Sequence, residues 1–458
     1  MQINVAGAGA GKTTKMADLI AAEQPIPGKI IFCVAFTNAA VQNIEEKVTA
    51  QCGRIPDHIK ISTIHSFLYQ EMIDPYYHFL FGRHFEKLSN IALPNDDSRK
   101  NSIISELRES NILHISKIPE YAKWVVFKKS DDRKPIKETR KKVLSIFSKY
   151  CAKIFVDEAQ DIDKHMMPIF EALNDAGIEI VLYGDPKQDI RGRGYFQEMI
   201  SSCKNVVYIP ECYRCPQKHL DFSNLLACEE QRQIAADSNA EGSIEIIFES
   251  TIADIKSFID KGHFGLCYIS RKTDRYNTHK VNNDRFDSLF YQVHELVFTK
   301  CQGDRSNLEI SRAAYFATES ILRYYDLKGD FVAPIKQWES RGLFGFLTKK
   351  QYGRIGESLK NVNRADITTP IISSIESIKG LEADRCLFIL TSDLAPYLFN
   401  SKSKDNKMRH LLYVALTRSL NHLTILIANE VEEKYSKESI RDFFNKHGVD
   451  VSEILKMP

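Results

Sequence analysis

Ile3-Asn4-Val5-Ala6-Gly7-Ala8-Gly9-Ala10-Gly11-Lys12-Thr13-Thr14 holds a short apolar stretch and a glycine-rich loop, and a helical spacing through Met16, Leu19 and Ile20 follows it. Strand, loop and helix in this order make a phosphate cradle. Glycines let backbone N–H groups turn toward phosphate oxygens, a lysine neutralises the β- and γ-phosphates, and a threonine hydroxyl is offered to Mg²⁺. The stretch predicts an ATP site built from Ala6, Gly7, Ala8, Gly9, Ala10, Gly11, Lys12, Thr13 and Thr14, with Lys12 catalytic and Thr13 a ligand to Mg²⁺. Ala6 stands where the usual pattern begins with glycine. A merely flexible glycine turn is the alternative, and it leaves Lys12-Thr13 without a purpose.

Downstream, a second strand at Lys29–Ala35 runs into Thr37-Asn38 and a helix with Val41, Ile44 and Val48 on one face. This βα alternation predicts a parallel, doubly wound sheet. From about Phe67 to Lys142 the pattern turns helical, aromatic and basic, which reads as an insertion over 67–145. Strands resume at Lys153–Val156 and Ile178–Tyr183. A second block starts near Cys212-Tyr213-Arg214, with strands at Ile244–Phe248 and Gly265–Ser270. Its βα rhythm lapses over 274–366, read as a second insertion, and returns at Ile371–Ile375, Cys386–Leu390 and Leu423–Ile427. The expected fold class is α/β, with two parallel-sheet P-loop NTPase domains, over 1–66 with 146–211 and over 212–273 with 367–458, each interrupted by a mainly helical insertion.

Size and composition agree with several cores. The 458 residues are 43% hydrophobic, and 62 basic residues against 60 acidic ones leave no global charge to attract nucleic acid. A DNA site must then be a local groove. The ten cysteines are scattered; the one close pair, Cys212 and Cys215, has no second pair at metal-ligand spacing, so all are expected as reduced thiols of a cytoplasmic protein. No signal-peptide order precedes the glycine loop and no apolar run is long enough for a bilayer, so no membrane partner is expected.

The second chemical signal is Val156-Asp157-Glu158-Ala159-Gln160-Asp161 at the end of an apolar strand. Adjacent carboxylates there suit phosphoryl transfer, Asp157 holding Mg²⁺ and Glu158 taking a proton from the attacking water. Alone, the pair could be an acidic loop on a solvated edge. A phosphate loop in the same sheet favours catalysis.

DEAQD resembles motif II of the UvrD/Rep-like helicases of superfamily 1A, whose other motifs have counterparts in order along the chain. The resemblance implies two RecA-like motor domains, ATP hydrolysis between them, and movement along single-stranded or tailed DNA with 3′-to-5′ polarity. Phe36-Thr37-Asn38 and Ser62-Thr63-Ile64-His65 resemble motifs Ia and Ib, implying DNA contacts by Thr37, Asn38, Thr63 and His65. Gly184-Asp185-Pro186-Lys187-Gln188 resembles motif III, whose glutamine, Gln188, senses the γ-phosphate. Cys212-Tyr213-Arg214 resembles motif IV, setting Tyr213 against adenine and Arg214 on the γ-phosphate. Ser377–Glu382 resembles motif V, with Glu382 toward the nucleotide and Lys379 toward DNA. Tyr413–Arg418 resembles motif VI and makes Arg418 the second arginine finger. For either arginine, a surface ion pair is the plainer alternative.

The chain also departs from the family. No glutamine motif precedes Ile3, from which weak discrimination between bases is expected. Glu376 replaces a motif V histidine, and His410 stands for the first arginine of motif VI. Arg191 and Arg193 occupy positions of base-stacking aromatics, with Tyr195 just beyond, and all three are expected at DNA. The short length and reduced second insertion are similar to the helicase-like subunits that accompany nucleases in anti-phage systems such as Gabija. Two function classes stay open: an autonomous DNA helicase, or a DNA-stimulated ATPase subunit that senses DNA ends and regulates a partner nuclease. The stretch Trp338–Arg354 is expected to dock that nuclease or to form the insertion's own core.

Overall fold

The computed structural model describes residues 1–91, 93, 96–129, 132–273, 275–276, 284–300, 307–360, 372–449 and 451. The first sheet contains β1 (Gln2–Ala6), β2 (Ile30–Ala35), β3 (Ile59–Thr63), β4 (Cys151–Val156), β5 (Glu179–Gly184) and β6 (Val206–Ile209). They lie in the order β3-β2-β4-β5-β1-β6, and every pairing is parallel. The central strands read as unbroken apolar runs because helices cover both faces; Phe32 to Ala35 and Ile154 to Val156 are buried without alternation. A parallel sheet aligns all its C-terminal strand ends on one edge. The phosphate loop after β1, the DEAQD loop after β4 and the Gly184–Gln188 turn after β5 therefore share that edge.

The second sheet comprises β7 (Ser243–Phe248), β8 (Leu266–Ile269), β9 (Ser373–Ser374), β10 (Ala383–Leu390) and β11 (Ser419–Ile427). Its order is β7-β11-β10-β8-β9, again all parallel. Its core packs Phe388, Ile389, Leu390, Leu423 and Ile425 against the helix Lys407–Leu416, which is buried from His410 onward. The expected class of two parallel α/β sheets is present. In the expected strand at Ile371–Ile375 only Ser373–Ser374 pairs, and Ile371 lies outside the described residues.

The chain divides into two compact units. One, Met1–Gly82 with Pro119–Thr278 and Thr368–Pro458, contains both large sheets. In it the helix Lys134–Tyr150 sets Phe147 against Phe32 and Phe67 of the first sheet domain. The other unit joins Arg83–Ile118 to His279–Ile367, so a segment of the expected first insertion clusters with the second insertion rather than with its own flanks. Its core is formed by Leu289, Val293, Ala314, Ile321, Phe344 and Ile355. Trp338 and Tyr352 pack on this core and Phe344 is fully buried. Of the aromatics of the stretch Trp338–Arg354, Phe346 is the exposed one, and the stretch chiefly supplies its own unit with a core.

Candidate nucleotide cleft and the strand edge beside it

Gly9 and Gly11 have φ of 69° and 71°, a left-handed region that a side chain resists, and this lets the loop curl over the N-terminus of the helix Lys12–Ala22. No acidic residue stands in that helix's first turn, which leaves its free N–H groups and positive dipole end for an anion. Lys12 is buried and its Nζ donates to the carbonyls of Ala6 (3.3 Å) and Gly7 (3.1 Å). Thr13 Oγ1 donates to Asp157 Oδ2 at 2.9 Å, joining the two sequence motifs across the sheet. The Thr14 hydroxyl accepts from Lys47 at 2.6 Å.

Burial and then the neighbouring Glu158 carboxylate push Asp157 up to about 6, against Lys12 and the Thr13 hydroxyl. An oxygen-donor pair, one of them a buried carboxylate short of positive charge, fits Mg²⁺. Among the described residues no cluster of three or more His, Cys, Asp or Glu could hold a metal, so Thr13 and Asp157 would leave most positions to phosphate and water. Glu158 has φ 55° and ψ 41°, a strained conformation for a residue with a side chain. Its carboxylate accepts from Gln160 Nε2, and Lys379 Nζ approaches it at 3.7 Å while pairing with Asp161 at 2.8 Å. Lys379, expected at DNA, is thus engaged by the acidic loop.

After β5, the fully buried Asp185 accepts from Gln188 Nε2 at 2.9 Å and from the backbone N–H of Lys187 at 3.1 Å. Burial raises the Asp185 carboxyl, but Lys187 and Lys12 outweigh it and leave it below the usual carboxylate range. Gln160 links the two loops by accepting from the Asp185 N–H at 3.0 Å.

The far wall comes from the second block. Tyr213 N–H donates to Gly9 O at 2.8 Å, and the half-exposed Tyr213 ring edges the loop near Gly11. The Arg214 guanidinium forms an ion pair of 2.5 Å with Glu382. Arg418 is only 1% exposed, and it donates to Val414 O, Leu381 O and Thr417 Oγ1. Burial and the neighbouring Arg214 lower its pKa. The surface ion-pair alternative fails for Arg418, which is interior.

Two side chains absent from the sequence-based site lie on the loop itself. Tyr413 Oη accepts from Ala8 N–H at 3.0 Å and donates to Gln233 Oε1 at 2.7 Å, while Gln233 Nε2 donates to Ala8 O at 3.0 Å. Gln233 is 2% exposed, and a Cβ added at Gly7 would meet its amide at 2.1 Å. Tyr413 was read only as part of a motif, and Gln233 carried no signal because its partner is distant in sequence. His410 likewise bridges the blocks, its Nδ1 2.7 Å from Asp189 O and its Nε2 2.8 Å from Asp405 Oδ1.

Beside the cleft, Thr37 and Asn38 follow β2 and are exposed, while Thr63 ends β3 and His65 follows it. Thr37 and Thr63 both cap helices, accepting from the N–H of Ala40 (3.1 Å) and Ser66 (3.2 Å). Burial lowers the His65 pKa, with Arg193 and Arg191 lowering it further against Asp163. Arg191 is exposed, Arg193 donates to Asp161 O, and the partly exposed Tyr195 starts the helix Tyr195–Ser202.

Fold and cleft define a parallel-sheet α/β protein with a phosphate loop. Residues 1–193 match the family model described as AAA domain. Over 261 residues the chain is 31% identical to the Gabija protein GajB of Bacillus cereus (strain VD045), covering 55% of this chain and 51% of that protein. The chain spans about half the length of that curated relative. A solved complex of Arterivirus nonstructural protein 10 (helicase) with DNA is similar over 93% of this chain and 60% of that one, at 12% identity and a TM-score of 0.36, a likeness too low to bear on activity. No helix among the described residues is long and apolar enough to cross a membrane.

Proposed function

We propose that the chain is a helicase-like ATPase that moves along single-stranded DNA, a UvrD/Rep-type translocase of 3′-to-5′ polarity. The observation that carries this reading is the Thr13–Asp157 hydrogen bond of 2.9 Å beneath a glycine loop whose other wall, Tyr213, Arg214, Gln233 and Tyr413, belongs to the second block. A nucleotide bound there would touch both blocks, so its hydrolysis would change how they meet.

In this assignment the loop amides and Lys12 bind the phosphates, which requires Lys12 to exchange its bonds to Ala6 O and Gly7 O for phosphate oxygens. Thr13 and Asp157 would hold Mg²⁺, which supplies charge neutralisation at the phosphates. Glu158 takes the proton of the attacking water, and Gln188 is placed through Asp185 to report the γ-phosphate. Tyr213 stacks on the base, and Arg214 leaves Glu382 to reach the transferred phosphoryl group. Arg418 acts as the second finger only if it leaves its buried carbonyl partners. Thr37, Asn38, Thr63, His65, Arg191, Arg193 and Tyr195, grouped beyond the C-terminal strand ends of the first sheet, form the proposed DNA track, with Lys379 joining it only on release from Asp161.

The deciding experiment is the rate of ATP hydrolysis with and without single-stranded DNA. A DNA-independent rate overturns the motor reading, and absence of hydrolysis overturns the nucleotide reading. The likeness to GajB favours a second reading, a DNA-stimulated ATPase subunit that regulates a nuclease in anti-phage defence. Fast strand release from a 3′-tailed duplex by the purified chain alone would exclude dependence on such a partner.

A further inference from the structure

Two sulfurs that none of these roles uses lie against the phosphate loop. Cys212 ends the two-residue strand Glu211–Cys212, and Cys215 precedes the helix Gln217–Asn224. Both side chains are completely buried, in a small core shared with Leu220. Cys212 Sγ donates to Ala8 O at 3.2 Å and accepts from the backbone N–H of Cys215 at 3.3 Å. A single amide group, Asn239 Nδ2, donates to both Cys212 O (2.7 Å) and Cys215 O (2.8 Å). The intervening chain is therefore folded back on itself, which brings the Cys215 backbone against the Cys212 sulfur. The thiols are also unequal. Hydrogen bonding from Cys215 and the nearby Arg214 hold Cys212 down to about 6 in spite of burial, while the same hydrogen bond and burial push Cys215 well above the ordinary thiol range. A low-pKa attacking sulfur beside a resolving one is the arrangement of redox-active pairs.

We infer that Cys212 and Cys215 form a reversible disulfide on exposure to hydroperoxides, a modification site that releases Tyr213 and Arg214 from the phosphate loop. The bond chemistry stands on the cysteine geometry; its consequence for nucleotide binding rests on the function proposed above. Cys212 thiolate attacks the peroxide, the O–O bond breaks, and the sulfur becomes a sulfenic acid as water leaves. The Cys215 sulfur then attacks that sulfur, the S–O bond breaks, and a second water carries away the Cys215 proton. Two thiols and one hydrogen peroxide thus give one disulfide and two waters, the two electrons passing from sulfur to peroxide. A dithiol returns both electrons. Ring closure turns the backbone of Tyr213, whose N–H holds Gly9 O at 2.8 Å. Because neither sulfur is exposed, the reaction follows a local opening of the loop, and hydrogen peroxide, as the smallest hydroperoxide, is the probe.

The test treats the full chain with hydrogen peroxide, blocks remaining thiols with N-ethylmaleimide and digests it with trypsin without reduction. Cleavage after Lys204, Arg214 and Lys218 puts the two sulfurs on different peptides, Asn205–Arg214 and Cys215–Lys218, which stay joined only by a disulfide. The expected result is this joined pair, separated by dithiothreitol, with affinity for a fluorescent ATP analogue lowered by about tenfold and restored on reduction. Cys215→Ser and Cys215→Ala should keep the reduced chain's affinity and lose the response to peroxide. Two alkylated, unjoined peptides after treatment would overturn the disulfide. A joined pair with unchanged affinity would overturn its coupling to the loop. A reduced chain that binds no analogue would overturn the nucleotide assignment, while the peptide map still decides the disulfide.

Discussion

Gly7→Ala puts a methyl group where Gln233 already is. Gly7 is not among the residues with left-handed φ, so alanine meets no backbone penalty there and the whole effect is steric. The added Cβ would lie 2.1 Å from both Cδ and Oε1 of Gln233, a side chain that is 2% exposed and cannot swing aside into solvent. Expelling the amide breaks its bonds to Ala8 O (3.0 Å) and from Tyr413 Oη (2.7 Å). At about 1 kcal/mol net for each, the loop loses about 2 kcal/mol, about thirtyfold in its opening equilibrium. Gln233→Ala removes the same two bonds at a similar cost. In the double variant the alanine at position 7 enters space left by the amide, so the combined effect stays near about thirtyfold instead of the roughly nine-hundredfold product expected of independent sites. Hydrogen–deuterium exchange of the peptide containing the Ala8 amide reads this opening locally, apart from any unfolding elsewhere in a chain of two compact units. Multiplicative single effects would refute the packing of Gly7 on Gln233.

Lys12→Ala and Glu158→Gln should each lower steady-state ATP turnover by about a hundredfold or more, the first through weak nucleotide binding and the second with binding retained; near-normal turnover by Glu158→Gln would remove it as the base. Arg418→Ala should lower thermal stability by about 3 kcal/mol, because Val414 O, Leu381 O and Thr417 Oγ1 lose a buried partner, whereas Arg214→Ala should unfold near the parent temperature. Burial lowers the His410 pKa, but Asp405 and the Asp189 carbonyl more than reverse this, leaving it raised. The resulting stabilisation is fully present below the unfolded value of about 6.5 and is lost as pH rises through the higher folded value. Melting temperature should therefore fall from about pH 6.5 upward, and Asp405→Asn should flatten that fall; an unchanged slope would show that His410 is not the titrating group.

The central strands were legible because burial on both faces forces continuous apolar runs, as at Ile31–Ala35 and Cys386–Leu390. β3 and β6, the edges of the first sheet, were not. Lys60 and Tyr208 in them are exposed, and one-sided strands of a few residues present too little pattern to separate from loops. The grouping of Arg83–Ile118 with His279–Ile367 was hidden for another reason: its contacts join segments far apart in sequence, such as Lys350 with Glu106 at 2.5 Å, and no local periodicity records them.

The same distinction runs through the cleft. Lys12, Thr13, Asp157 and Glu158 were found because phosphate and metal chemistry demands particular residue types beside particular elements, whereas Gln233 and Tyr413 act through a geometry that only folding creates. Their bonds to Ala8 span separations of 225 and 405 residues. Tyr413 fixes the Ala8 N–H, Gln233 fixes its carbonyl, and Lys12 occupies the carbonyls of Ala6 and Gly7. Lys12 and the Ala8 N–H are thus already engaged by protein, so a phosphate that uses them must compete with named partners on both blocks, while the free N–H groups of the helix N-terminus stand open to it. Any group that displaces Lys12 and loosens Ala8 also weakens the hold of Gln233 and Tyr413 on the first block. By linkage, loosening that hold must favour the phosphate to the same degree.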